Sequence, residues 1–131
     1  MAPLPVTSFY AALLGLVLLR LSIRVIQQRV RTRVAIGLGE DEGLLRASRA
    51  QGNFVEYVPM ALLLLALLEH SGASAFLLHA LGAGLLGGRV AHGIGIAQQP
   101  ENLRLRQIGM ALTFGVLGAG SALLLMRTVI A

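Results

Sequence analysis

Four apolar stretches dominate the sequence, each close to the roughly 20 residues that a helix needs to cross the hydrocarbon core of a bilayer. At that depth no water is present, so every backbone N–H and C=O must be satisfied internally, and only helices or a closed barrel can do this. The stretches are continuous rather than alternating in hydrophobicity, which selects helices. The chain is therefore expected to be all-α, an integral membrane four-helix bundle subunit occupying 1–131 as one domain, with spans at 4–26, 44–68, 73–97 and 103–128. The fourth is the cleanest, with no charged residue between Arg106 and Arg127. Only 13% of the 131 residues are charged and 56% are hydrophobic, too little charge to solvate an ordinary soluble domain.

Short polar breaks separate the stretches. They are Gly37-Leu38-Gly39-Glu40-Asp41-Glu42-Gly43, Glu69-His70-Ser71-Gly72 and Gln98-Gln99-Pro100-Glu101-Asn102. The first break and its flanks hold Arg29, Arg31, Arg33 and Arg46, and the third is followed by Arg104 and Arg106. The second break, through Ala75, and the residues before Phe9 hold no Arg. Because short basic loops stay in the cytoplasm, both termini are expected to face outward. The first stretch carries its Arg residues after the apolar part, which marks a retained span rather than a cleaved signal peptide.

Several function classes fall away. The formal net charge of +5 comes without any Lys and with only 5% aromatic residues, and the Arg residues flank apolar spans, so anionic lipid or a small anionic ligand suits them better than nucleic acid. There is no Cys, hence no disulfide and no thiolate metal site, and no His and carboxylate group has metal spacing. No metal is expected. The third span carries Gly82, Gly84, Gly87, Gly88, Gly93 and Gly95, but it lacks the preceding strand and following Lys of a phosphate loop, so these read as helix-packing positions.

Ionisable groups at membrane depth are costly, so each calls for a partner and a functional hypothesis. In the second span Arg49, Asn53 and Glu56 are spaced i, i+4, i+7 and share one helical face, with Pro59 freeing a backbone carbonyl nearby. In the third, Arg89 and His92 share a face at i, i+3, and the topology places both groups toward the cytoplasmic half with Arg29, Arg104 and Arg106. One reading is an intramembrane ion pair, Arg49 or Arg89 with Glu56, that pins helices together. The other is a polyanionic small ligand, favoured because the Arg residues outnumber what Glu56 can neutralise. His79 reads as a helix-contact histidine, and Ser48 as a helix-start residue.

The run Arg49-Ala50-Gln51-Gly52-Asn53-Phe54-Val55-Glu56-Tyr57-Val58-Pro59 resembles the second-helix signature of the MAPEG family, the membrane-associated proteins of eicosanoid and glutathione metabolism. Val25-Ile26-Gln27-Gln28-Arg29 is similar to the end of that family's first helix, Gly88-Arg89-Val90-Ala91-His92-Gly93 to its third-helix motif, and residues 104–109 to the basic start of its fourth. Gly39-Glu40-Asp41-Glu42-Gly43 resembles the first loop of its small bacterial branch, which implies a bacterial inner membrane. The resemblance further implies a homotrimer that holds glutathione, as co-substrate, between neighbouring subunits near the cytoplasmic face. By similarity, Arg29, Arg49, Gln51, Asn53, Glu56, Tyr57, Arg89 and His92 form the binding set. Arg104 or Arg106 is the catalytic arginine that favours the thiolate, which then attacks a lipophilic electrophile or peroxide arriving from the bilayer. Ile96 stands where conjugating members often carry a Tyr.

Two other classes compete with a glutathione transferase or peroxidase. A small four-span exporter would use Glu56 as a proton-coupled cation site, but such a site calls for a lone acid among aromatic residues, and this chain has no Trp. A non-catalytic membrane subunit would use the polar stripe only to set helix register.

Overall fold

In the computed structural model, which describes residues 3–130, four helices follow one another: α1 (Pro5–Thr32), α2 (Glu42–His70), α3 (Ala75–Ala97) and α4 (Leu103–Ile130). All four are long and apolar enough to cross a membrane. At 1.5 Å per residue α1 is about 42 Å long, well beyond a hydrocarbon core of about 30 Å. α1, α2 and α4 thus outrun the apolar stretches, whereas α3 starts two residues inside its own. α1 continues from residue 26 through the Arg-rich segment to Thr32, and α2 begins in the acidic break at Glu42.

The polar breaks supply the caps that let these helices start and stop. Asp41 accepts the Leu44 N–H at 2.7 Å, Ser74 the Leu77 N–H at 3.4 Å, and Asn102 the Leu105 N–H at 3.1 Å, each satisfying a donor that has no partner inside its own helix. Ser48 is therefore not a helix-start residue. It lies in the second turn of α2 with its hydroxyl buried and without a hydrogen-bond partner among the described residues. α1 starts at Pro5, and its free donors at Val6 and Thr7 bond the Glu69 carboxylate at 2.9 and 2.7 Å from the far end of α2. α2 ends in a Schellman turn in which Gly72, at φ +79°, takes the left-handed conformation and Ala73 N–H reaches Leu68 O.

α2 packs on all three other helices, α1 on α2 and α3, while α1 and α4 do not touch among the described residues. The core face of α2 runs through Ala47, Ala50, Phe54, Val58, Ala61, Leu65 and Leu68, in steps of three and four residues that keep one stripe inward. It meets Tyr10 and Leu14 of α1, Leu78, Leu81 and Leu85 of α3, and Val116 of α4.

Small residues set how near the helices come. A Cβ on Gly109 would stand 2.5 Å from the Gly88 carbonyl oxygen and 2.7 Å from His92 N, and one on Gly95 would stand 2.8 Å from Arg106 N. α3 and α4 are thus in backbone contact along Gly88 and Gly95. A side chain on Gly82 would collide with the Tyr10 ring. Gly87 has open space instead, so the glycines of α3 do not all serve packing. His79 does make a helix contact, its Nδ1 lying 3.2 Å from the Tyr10 hydroxyl of α1.

Candidate functional site

At the end of the bundle where α1, α2, α3 and α4 bring their Arg-bearing turns together, a cleft of about 230 Å³ opens between α2, the last turns of α3 and the start of α4. α2 contributes Glu42, Arg46, Arg49 and Asn53, which are spaced by four, three and four residues and so lie on one face beside the core stripe. α3 contributes His92 and Ile96, and the third loop and α4 contribute Glu101 and Arg106. The close approach of α3 to α4 at Gly95 is what carries Arg106 up to this wall.

The charges of the cleft are partly paired. Arg46 bonds Glu42 one turn earlier and lies 3.5 Å from Glu101, and Glu101 also accepts from Arg106. Arg49 stands 3.7 Å from Glu56 at the rim, both side chains about half exposed. The Arg excess read from the sequence is therefore smaller than it looked, because Glu42 and Glu101 join Glu56 in offsetting it. The lining still holds three arginines and two carboxylates, so groups of both signs face one space.

Behind the cleft wall lies Arg89, only 1% exposed. Its Nη2 donates to Asn53 Oδ1 at 2.6 Å and approaches His92 Nδ1 at 3.2 Å, while Nη1 donates to Thr113 Oγ1 at 3.3 Å. Thr113 in turn donates to Gly109 O at 2.8 Å. No carboxylate pairs with Arg89 among the described residues, so of the two ion pairs open from the sequence only Arg49 with Glu56 forms. Since a guanidinium cannot accept a hydrogen bond, His92 Nδ1 must be the acceptor, which leaves the ring proton on Nε2 as a donor.

Four of the ten residues expected at a site therefore line one cleft, namely Arg49, Asn53, His92 and Arg106. Arg89 is joined to them through Asn53 and His92, and Glu56 through Arg49. The others lie elsewhere in the subunit. Gln51 donates to Ser22 Oγ of α1 at 2.8 Å, Arg29 binds the first loop through the carbonyl oxygen of Gly37 at 2.8 Å, and Tyr57 sets its ring edge against Phe114 of α4. Arg104 is exposed and does not line the cleft. Glu42, Arg46 and Glu101 were missed by the sequence reading. The signal for the first two was present in their helical register with Arg49, whereas Glu101 sits in a loop that has no register to read.

Outside the membrane-spanning segments, Asp41 carries the shifted acid nearest this end of the bundle. The Leu44 N–H bond, with further help from Arg31, holds its carboxyl below the usual carboxylate range.

A sequence model of the MAPEG family matches residues 7–126. Two curated relatives, both called inner membrane protein YecN and coming from Escherichia coli strain K12 and strain O6:H1, are each 38% identical over 109 residues. The match covers 83% of this chain and 82% of each relative. No solved structure matches the chain.

Proposed function

The chain belongs to the MAPEG family, and on that footing we propose that it is an inner-membrane glutathione-binding protein that acts as a transferase or peroxidase on lipophilic electrophiles. The observation that carries this reading is the mixed lining of the cleft. Glutathione has two carboxylates and one ammonium, a net charge of −1, and a space lined by Arg46, Arg49 and Arg106 against Glu42 and Glu101 complements a ligand of both signs better than it does a simple anion. Asn53 and the His92 Nε2–H add neutral partners for its amides. The name of the Escherichia coli relatives, inner membrane protein YecN, agrees with the inner membrane, and the Arg distribution orients both termini outward.

In this reading Arg49 and Asn53 seat the ligand, Arg89 and Glu56 hold those two side chains, and Arg106 is the catalytic residue. A guanidinium beside the sulfur favours the thiolate, and lowering a thiol from a pKa of about 8.5 to about 7 needs roughly 2 kcal/mol. The thiol proton passes to water. With an aryl halide the sulfur then bonds the ring carbon and halide leaves. With a lipid hydroperoxide it attacks the terminal oxygen and the O–O bond breaks, giving the sulfenic acid of glutathione and an alkoxide that takes a proton from water to leave as the alcohol; a second glutathione then reduces the sulfenic acid, yielding the disulfide and water.

Arg29 and Gln51 lie on the α1 side of α2, away from the cleft, and the cleft is smaller than the roughly 300 Å³ at the lower end of small-molecule sites. Both facts fit a homotrimer in which these two residues complete a neighbour's cleft. Glu56 has Arg49 beside it instead of standing alone, which weighs against the exporter.

The test is calorimetric titration of the detergent-purified chain with glutathione, with Arg49→Ala as control. Saturable binding that the variant loses is the expected result. Absence of saturable heat from the unaltered chain, both in detergent and after reconstitution, would overturn the reading.

A further inference from the structure

A second groove, of about 570 Å³, runs between α1 and α3 on the side of the bundle away from α4. Leu16 and Leu21 of α1 and Val90 and Ile94 of α3 form its apolar walls, and Arg20 and Arg24, one helical turn apart, project along it from α1. At Gly93 the wall lacks a side chain, and a Cβ there would meet only Leu21, at 3.7 Å. No carboxylate lines the groove, although Arg89 borders it as a third cation.

The depth of those cations can be read from α4. Its uncharged stretch between Arg106 and Arg127 is about 32 Å long at 1.5 Å per residue, which matches a hydrocarbon core of about 30 Å and puts Arg106 at its cytoplasmic edge. Gly95 of α3 lies against Arg106 N, and two residues on, the Ala97 carbonyl accepts from Arg24 at 3.5 Å. Arg24 is thus at headgroup level with Arg20 one turn deeper, Ile94 beside Gly93 and Leu21 lies between those two depths, and Leu16 and Val90 are deeper still. Arg20 has no hydrogen bond or ion pair among the described residues, and an unpaired guanidinium at that depth is costly unless an anion meets it.

We propose that this groove binds one anionic glycerophospholipid of the cytoplasmic leaflet, with its phosphate between Arg20 and Arg24 and an acyl chain along Leu16 and Val90. Cations at the mouth, an apolar channel below and no opposing acid are the complement of such a lipid and not of a zwitterionic one. The inference does not depend on what the cleft beside α2 binds.

Native mass spectrometry of the full chain, released from neutral detergent and titrated with dioleoyl phosphatidylglycerol or dioleoyl phosphatidylcholine, tests it. The first phosphatidylglycerol is expected to bind about thirtyfold tighter than phosphatidylcholine, as two surface arginines at about 1 kcal/mol each would produce. Arg20→Gln, which has no internal bond to lose, should lower that preference, and Arg20→Gln with Arg24→Gln should abolish it. Arg31→Gln with Arg33→Gln removes the same charge off the groove and should leave it intact. Val90→Trp, which fills the channel below the cations, should weaken both lipids. Three results would overturn the proposal: a preference that survives the Arg20 and Arg24 replacements; equal loss in the Arg31 and Arg33 variant, which would mark general surface charge; or a Val90→Trp chain that changes subunit number while keeping its lipid preference, which would mark a second copy in the groove.

Discussion

Arg89 of α3 donates from Nη2 to Asn53 Oδ1 of α2 at 2.6 Å, across 36 residues of sequence, and no acid shares that guanidinium among the described residues. An arginine this buried acts on the cleft through Asn53, which lines it.

Removing it should therefore be felt at Asn53. Arg89→Met is expected to destabilise the chain by about 1–3 kcal/mol, because Asn53 Oδ1 and Thr113 Oγ1 lose a charged donor. It should also weaken glutathione binding by roughly tenfold, and a double-mutant cycle with Asn53→Ala should show a coupling of about 1 kcal/mol or more. Strictly additive losses would mean that the bond does not position the amide.

The two arginines at the start of α4 should separate. Arg106 lines the cleft and Arg104 does not, so Arg106→Ala is expected to lower kcat at saturating glutathione by roughly tenfold or more, and Arg104→Ala to leave it within about twofold. Steady-state turnover with an aryl halide reads this directly. Equal effects, or a larger loss at Arg104, would move the catalytic role.

Backbone contact between α3 and α4 should make their glycines unequal. Gly109→Ala forces a Cβ against the Gly88 carbonyl oxygen and His92 N and is expected to cost about 1–3 kcal/mol. Gly87→Ala faces open space and should stay within about 0.5 kcal/mol. Thermal unfolding in detergent, followed by circular dichroism, compares them, and Gly109→Ala should also loosen the cleft because Arg106 rides on the same contact.

Acid should fray the start of α2. The Asp41 carboxyl titrates lower in the folded chain than in the unfolded one, so its contribution is present above the unfolded value of about 3.9 and is lost as pH falls from there through the folded value. Faster hydrogen exchange at the Leu44 amide below about pH 4, absent in Asp41→Asn, which retains the capping oxygen without the charge, is the expected signature.

The polar stripe was legible because spacing on one helix is a local property. Arg49 and Asn53 reach the same cleft, as their four-residue interval requires, and extending that register backward would have found Arg46 and Glu42. The same rule sets Gln51 apart, since two residues along a helix point to nearly opposite sides. It faces α1, whereas the family resemblance had grouped it with Arg49 in one binding set. Arg89 was legible as an intramembrane charge, but its partner was not, because nothing along α3 records which residue of α2 or α4 comes opposite.

By itself the sequence determined the number of helices and the polar breaks between them, because lipid obliges each apolar segment to satisfy its own backbone and the capping side chains lie within three residues of the donors they serve. Only the tertiary structure decided which polar groups meet. That depends on how each helix is rotated and how near its neighbour it comes, and here the contact of Gly88 with Gly109 and the seat of Gly95 against the start of α4 bring Arg106 to the cleft while Arg104, two residues away, is turned out.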